Sequence, residues 1–192
     1  MLTVSFHPFP TLETERMDLT AFTPADAEAL FQMRSNPTVM QYIQRPRPKS
    51  VADVKPYLQR LIDDAINNKG ITWAMRLKGT NRLIGTAGFW QIDEVNYRAE
   101  IGYAMEPEFQ GQGLMSEVLI KIIDYAFREM KLHSLMGNTH PDNKKSQAIL
   151  QRMGFQQEAH HREDYYFEGA FYDSVKFGLL ERDYRAKFNT SE

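Results

Sequence analysis

The 192-residue chain contains no cysteine. That absence excludes disulfides, thiolate metal sites and a cysteine nucleophile, and it fits a reducing compartment. No apolar stretch approaches the roughly 20 residues that a membrane span requires. The opening MLTVSFHPFP has no basic start followed by a long apolar run, so no signal peptide is expected. A basic excess is missing as well: 23 Lys and Arg stand against 25 Asp and Glu, a net charge of −2. Non-specific nucleic-acid binders usually carry a basic surface. Repeats, low-complexity tracts and linkers are also absent. These absences point to a cytoplasmic protein with neither a nucleic-acid nor a membrane partner. What remains is 42% apolar and 25% charged, the composition of an ordinary globular chain, and the length suits one domain over residues 1–192.

Hydrophobic periodicity orders that domain. Residues 1–16 read as irregular, broken by Pro8 and Pro10. Met17 to Phe22 alternates as a short strand. Thr23-Pro24 starts a helix reaching Asn36-Pro37, and Ser50 with Asp53 opens a second that ends near Gly70, with Pro56 an obstacle in its early turns. Gln44 to Ser50 between them is a loop. Three strand-like runs follow, at Ile71–Leu77, Arg82–Gln91 and Tyr97–Met105, joined by short turns as in an antiparallel meander. From Gly113 to about Met130 the pattern is helical, with Glu117, Lys121, Asp124 and Arg128 forming one polar stripe on an otherwise apolar rod. Ser134–His140 reads as a strand. Asp142 and Asn143 then cap a helix with core positions Ala148, Ile149 and Met153, and Gly154 stops it. A closing hairpin turns at Glu168-Gly169. The order predicts an α/β fold: a mixed, mostly antiparallel sheet with helices on both faces.

One stretch asks for more than a fold. EPEFQGQGLMSEVL places Gly111 and Gly113 directly before a strong helix. A helix N-terminus exposes unpaired N–H groups and favours anions, phosphate above all. Glycines before it let several amides converge on one group. The loop lacks the Lys-Ser/Thr ending of a P-loop and the three spaced glycines of a dinucleotide fingerprint. By itself it is either a phosphate cradle or a tight strand-to-helix turn.

Gln110-Gly111-Gln112-Gly113-Leu114-Met115 resembles the Gln/Arg-x-x-Gly-x-Gly/Ala motif of the GCN5-related N-acetyltransferases (GNAT), although Met115 stands where that motif prefers Gly or Ala. IDEVNYRAEIGYAMEPEFQGQGLMSEVL, HPDNKKSQAILQRMGF, YYFEGAFYDSVKFGLL and the N-terminal TERMDLTAFTPADAEAL are similar to successive blocks of the RimJ/RimL-type branch. The resemblance spans nearly the whole chain and implies a GNAT-like fold, with the strands at 97–105 and 134–140 a splayed parallel pair. It also implies acetyl-CoA as co-substrate. The pyrophosphate would lie on the loop Gln110, Gly111, Gln112, Gly113, Leu114 and Met115, and the pantetheine arm against the main chain of Tyr103 and Met105, with Asn143 orienting it.

Acetyl transfer to an amine needs a base for the nitrogen and a proton for the departing thiolate. The tyrosine that many members place before Gly-Phe is missing, because Leu150 stands there. Ser146, one turn earlier, is then the candidate donor; alternatively, Asn143 is only an N-cap and Ser146 an ordinary first-turn serine. Glu100 is the candidate base, sharing a strand face with the small Gly102 and Ala104, unless it is tied up in an ion pair with Arg98 or Arg128. His140 is its rival. His160 and His161 are adjacent and point to opposite strand faces, so no metal is expected. Trp73, Phe89, Trp90 and Tyr165–Phe167 read as core and hairpin packing, with some of them available to line an acceptor pocket. The expected acceptor is an α-amine, on a protein N-terminus or an amino-acid-like molecule, with a small amine such as a polyamine or drug as the alternative, and the protein is a monomer or homodimer. A CoA-binding sensor without turnover is the competing reading.

Overall fold

Alternation along one strand shows how the layers are built. In the structure, a computed structural model describing residues 2–188, Trp73 and Met75 enter one hydrophobic core while Ala74 between them enters another. Successive strand residues point to opposite faces, so the sheet carries a core on each side. The N-terminal third supplies β1 (Leu12–Glu13), β2 (Met17–Thr20), α1 (Ala27–Ser35), α2 (Pro37–Met40) and α3 (Val51–Ile66). The meander follows as β3 (Ile71–Leu77), β4 (Arg82–Asp93) and β5 (Arg98–Met105). Then come α4 (Leu114–Arg128), β6 (Ser134–Thr139), α5 (Lys144–Met153), β7 (Gln156–Phe167), β8 (Ala170–Leu180) and α6 (Glu181–Phe188).

All eight strands form one sheet in the order β1-β2-β3-β4-β5-β6-β8-β7. Every neighbouring pair is antiparallel except β5 and β6, which run parallel. Residues of α4, α5 and α6 fill the larger core, and Leu30, Val54 and Leu58 of α1 and α3 fill the smaller. The α/β architecture expected from the sequence is therefore present, parallel pair included.

The apolar rod predicted at α4 buries seven side chains, among them Val118, Ile122 and Phe127, although Ile120 stays 39% exposed. In α5 the core positions are Leu150 and Met153, while Ala148 faces solvent. Pro56 is carried within α3, whose Val54, Leu58, Leu61 and Ala65 are buried; Ile66 is exposed. Three features escaped the sequence reading. The N-terminal segment is irregular but packed, with Leu2, Val4 and Phe6 buried. The indole of Trp73 donates to the Pro10 carbonyl at 2.7 Å. Helix α6 closes the larger core with Tyr184, whose hydroxyl donates to the Ile120 carbonyl at 3.0 Å.

Asp26 anchors α1 to the sheet. It accepts two hydrogen bonds from Arg76 of β3 at 2.8 and 2.9 Å and also caps the chain at the Thr23 amide. Asp26 is 6% exposed. Removing one partner of such a pair strands the other charge in the interior. Asp26→Ala is expected to lower the unfolding free energy by about 3 kcal/mol in urea denaturation. A loss below about 1 kcal/mol would contradict the anchoring role.

Candidate active site

The sheet opens in its middle. The parallel pairing of β5 with β6 ends at Ile101 opposite Gly137, while β6 continues beside β8 as far as Thr139 opposite Val175. Gly102 to Met105 are thus left without a partner on the β6 side. The Glu106 amide donates across to Ile84 of β4 at 2.9 Å. Strand alternation then aims the main-chain groups of Tyr103 and Met105 the other way, into the gap. Both were the residues expected to offer main-chain contacts. The Met105 carbonyl, however, already accepts from Gln110 Nε2 at 3.0 Å, so Gln110 braces the strand end and Tyr103 keeps the freer backbone.

At one end of the gap lies the glycine loop. Gly111 and Gly113 adopt φ of +77° and +82°, a conformation that L side chains rarely take. Gly113 is the N-cap of α4, and the amides of Gly111, Gln112 and Gly113 donate to no backbone carbonyl. A Cβ on Gly111 would meet nothing within 4 Å. Arg16 holds this loop from outside: its backbone amide and Nε each bond the Glu117 carboxylate at 2.9 Å, and Nη1 bonds the Gln112 carbonyl at 3.1 Å. The guanidinium comes within 3.5 Å of where a Gly113 Cβ would sit. Open amides, the helix terminus and an adjacent cation are a donor set suited to a phosphate.

At the other end stands the first turn of α5. Asn143 is its N-cap, with Oδ1 accepting the Ser146 amide at 3.1 Å. The Ser146 hydroxyl lies 2.9 Å from the Tyr103 hydroxyl, which crosses the gap to reach it. Burial pushes the Tyr103 phenol far above its ordinary range, and the Ser146 hydrogen bond opposes this more weakly. It therefore stays protonated, and it lies within reach of both the Ser146 hydroxyl and, at 3.3 Å, the Ser146 carbonyl. Leu150 packs its methyls against Gly137 as part of the core. The Thr139 hydroxyl is buried with no hydrogen-bond partner among the described residues. An orphaned hydroxyl and unpaired strand groups are what an amide-bearing arm in the gap would satisfy, so the residues fit the pantetheine and pyrophosphate of acetyl-CoA.

Beyond the gap is a cleft of about 1110 Å³ between α1, α3, the 44–50 loop and the β7–β8 hairpin, lined by Glu100, Tyr103, Asn143 and Ser146 among others. The hairpin pins the loop, since the Tyr165 hydroxyl donates to the Gln44 carbonyl at 2.7 Å. Glu100 faces this cleft without an ion pair. Arg98 binds Asp93 and Arg128 binds Asp124, which removes the two partners considered from sequence. Burial pushes the Glu100 carboxyl above the ordinary carboxylate range, while a hydrogen bond with Trp90 and the Lys176 charge oppose that.

The room expected beside Glu100 is already filled. The Trp90 indole lies over Gly102, where a Cβ would come within 1.7 Å of the ring. Gly102 is small because the indole crosses it, and Trp90, 38% exposed, is a cleft wall and not core. Trp73 and Phe89 are core, as read. His140 stacks on Tyr42 with centroids 5.4 Å apart, and its Nδ1 accepts the Asp142 amide at 3.1 Å. In the neutral ring that bond places the proton on Nε2. Among the described residues no cluster of His, Asp and Glu could hold a metal.

The structure thus brings Glu100, Tyr103, Asn143 and Ser146 to one cleft and gathers Gln110 to Met115 at the neighbouring helix start. Sequence reasoning missed the Tyr103 hydroxyl and the Arg16 brace, and it did not say which of the aromatics line the cleft, Trp90 among them. Arg16 lies 101 residues from Glu117, so no local spacing announces it. The acetyltransferase (GNAT) domain family matches residues 16–156. The N-acetyltransferase YoaA of Bacillus subtilis is 34% identical over 173 residues, which cover 90% of this chain and 98% of its own. The ribosomal protein uS5-alanine N-acetyltransferase of Escherichia coli is 33% identical over 103 residues, 53% of each chain. The spermidine N-acetyltransferase of Vibrio cholerae, solved with CoA and spermine, has the same fold at a TM-score of 0.77 and 21% identity, covering 88% of this chain and 98% of that one. Opened strand pair, glycine loop and these likenesses agree: the chain belongs to the acetyltransferase (GNAT) family of N-acetyltransferases.

Proposed function

We propose that this protein transfers an acetyl group from acetyl-CoA to an α-amine, on a protein N-terminus or an amino-acid-like molecule. The observation that carries the reading is Glu100: a half-buried carboxylate without an ion pair, on the wall of a cleft that meets the gap between β5 and β6. A carboxylate with a raised pKa is a better base near neutrality than an ordinary one. Deprotonating an α-amine of pKa about 7.7–8.0 at pH 7 costs about 1 kcal/mol, whereas a nitrogen near 10.4 costs more than about 4. A single carboxylate suits the first task. A sensor without turnover would have no use for such a base.

When bound, acetyl-CoA supplies the activated acyl group. The amides of Gly111 to Met115 would hold its pyrophosphate, with Arg16 adding charge and fixing the loop. Ser146 would give a proton to the sulfur. Tyr103 is a positioning residue in this scheme: its hydroxyl holds the Ser146 side chain at the gap, and in the orientation where the phenol donates to Ser146 Oγ the serine proton is free to turn toward the sulfur. The phenol missing at Leu150 is thereby replaced from across the sheet. The first experiment is release of free CoA thiol with a panel of amines, where N-terminal peptides or amino acids should outperform spermidine. Preference for spermidine over every α-amine would overturn the acceptor class.

Three variants test the parts. Gly113→Val places a β-branched residue at φ +82° and should weaken acetyl-CoA binding at least about tenfold by calorimetry; unchanged affinity in a folded variant would remove the loop from the site. Ser146→Ala should lower kcat while leaving acetyl-CoA affinity nearly intact, and turnover at the wild-type rate would mean that another group protonates the sulfur.

Glu100→Gln should lose most activity at low pH and progressively less as the amine deprotonates itself, so a deficit constant from pH 6 to 9 would count against the base. Its effect on folding has a definite sign. A carboxyl whose pKa is raised in the folded state stabilises the fold below its unfolded value of about 4.5 and loses that contribution as pH climbs through the raised one. The glutamine variant should therefore melt at a relatively higher temperature at pH 8 than at pH 4, compared with wild type.

A further inference from the structure

The cleft that receives the acceptor is ringed by cations that the fold leaves unpaired. Arg34, Arg45, Arg47, Lys49 and Arg60 all line it. None of them pairs with a carboxylate among the described residues. The acids of the same cleft are largely committed elsewhere. Asp53 caps α3 at the Lys49 and Ser50 amides, Asp164 binds Ser174 and Lys176, and Asp173 binds His160. Among the described residues Asp53, Asp64 and Glu100 have no cation within 4.0 Å, and Asp64 is one turn beyond Arg60 on the same helix.

Two of these cations are brought together by one side chain. The guanidinium carbon of Arg34, from α1, lies 4.1 Å from the centroid of the Tyr57 ring, and that of Arg60, from α3, lies 5.1 Å from it. Each gains from the ring, but the two like charges repel each other, and neither has a counter-ion. An anion at the cleft mouth relieves that repulsion and receives charge-assisted hydrogen bonds from planar forks suited to a carboxylate or phosphate. Glu100, on the opposite wall, suits the cationic amine before its proton leaves. The cleft is therefore dipolar.

We propose that the acceptor is a small amine bearing an anionic group, carboxylate or phosphate, bound by Arg34 and Arg60 around Tyr57 while its amine faces Glu100. This rests on the reading of the protein as an amine acetyltransferase with Glu100 facing the amine, and it narrows the acceptor to amines that also bear an anionic group; polycations such as spermidine are repelled by the same ring of charge.

The test uses matched pairs on the full chain: L-amino acids against their C-terminal amides, and O-phosphoethanolamine against ethanolamine. The charged member of the best pair should be favoured at least about tenfold in kcat/KM. A preference in the amino-acid pairs identifies a carboxylate, and one in the phosphoethanolamine pair a phosphate. Arg34→Gln with Arg60→Gln should raise KM about tenfold or more for the acceptor that bears the anionic group, with little change in kcat, and should not raise KM for the partner that lacks it. Arg34→Lys with Arg60→Lys should recover part of the loss. Calorimetry with the same pairs separates the two layers of the argument. Tighter binding of the charged member without turnover would retain the anion subsite and defeat the transferase reading. Equal binding of the members with and without the anionic group, or a preference for that group unaltered by the double glutamine variant, would overturn the subsite.

Discussion

The structure depends on the point at which β5 and β6 stop pairing. After Ile101 and Gly137, β6 stays beside β8, and nothing takes its place along Gly102 to Met105. A break inside a sheet normally leaves costly unpaired main-chain groups. Here the fold tolerates it because Gln110 ties down Met105, Tyr103 spans the opening to α5, and Leu150 fills the space against Gly137. The opening is also the place where the two faces of the sheet communicate. Glu100 points to the face covered by α1 and α3, while Tyr103 and Ser146 meet on the face covered by α4 and α5. A base and an acid on opposite faces can serve one reaction only where the sheet between them is open.

Charge placement follows the same economy of position. Acids and bases that hold the scaffold are paired: Asp26 with Arg76, Glu117 with Arg16, Asp124 with Arg128. Hydrogen bonds from Thr14 and from the Arg16 backbone and side chain hold the Glu117 carboxyl below its ordinary range against the opposing effect of partial burial. The groups left without partners collect around the cleft and the loop. Among the described residues Glu100 and the guanidiniums at Tyr57 have no ion-pair partner, the Thr139 hydroxyl has no hydrogen-bond partner, and the Gly111–Gly113 amides donate to no backbone carbonyl. Unsatisfied groups on a rigid frame are what a ligand with complementary groups can exploit.

Much of this was legible in the sequence because it is written locally. The Gly-x-Gly before α4, the stripe along that helix and the Asn143 cap all act within a few residues of where they are read. So do the strands of the meander, whose apolar residues alternate. What was hidden is written at long range. Gly102 looked like empty space because the indole that fills it comes from Trp90 on the neighbouring strand. Ser146 looked isolated because its partner, Tyr103, is 43 residues away. The short, strongly charged ERDYRAKF of α6 has no apolar face of its own beyond Tyr184 and Phe188, and it is held by tertiary contact. The contact of His140 with the Asp142 amide is likewise a detail that composition cannot reveal.

The central claim is that the open strand pair and the glycine loop together hold the acyl donor. A crystal structure of the protein with CoA tests it most directly. The account predicts the pyrophosphate on the amides of Gly111 to Met115, and the pantetheine arm in the gap between Tyr103 and Thr139, with its thiol end beside Ser146. Density for CoA lying in the α1–α3 cleft with the gap empty, or a gap closed by β5 pairing with β6 beyond Gly137, would contradict it.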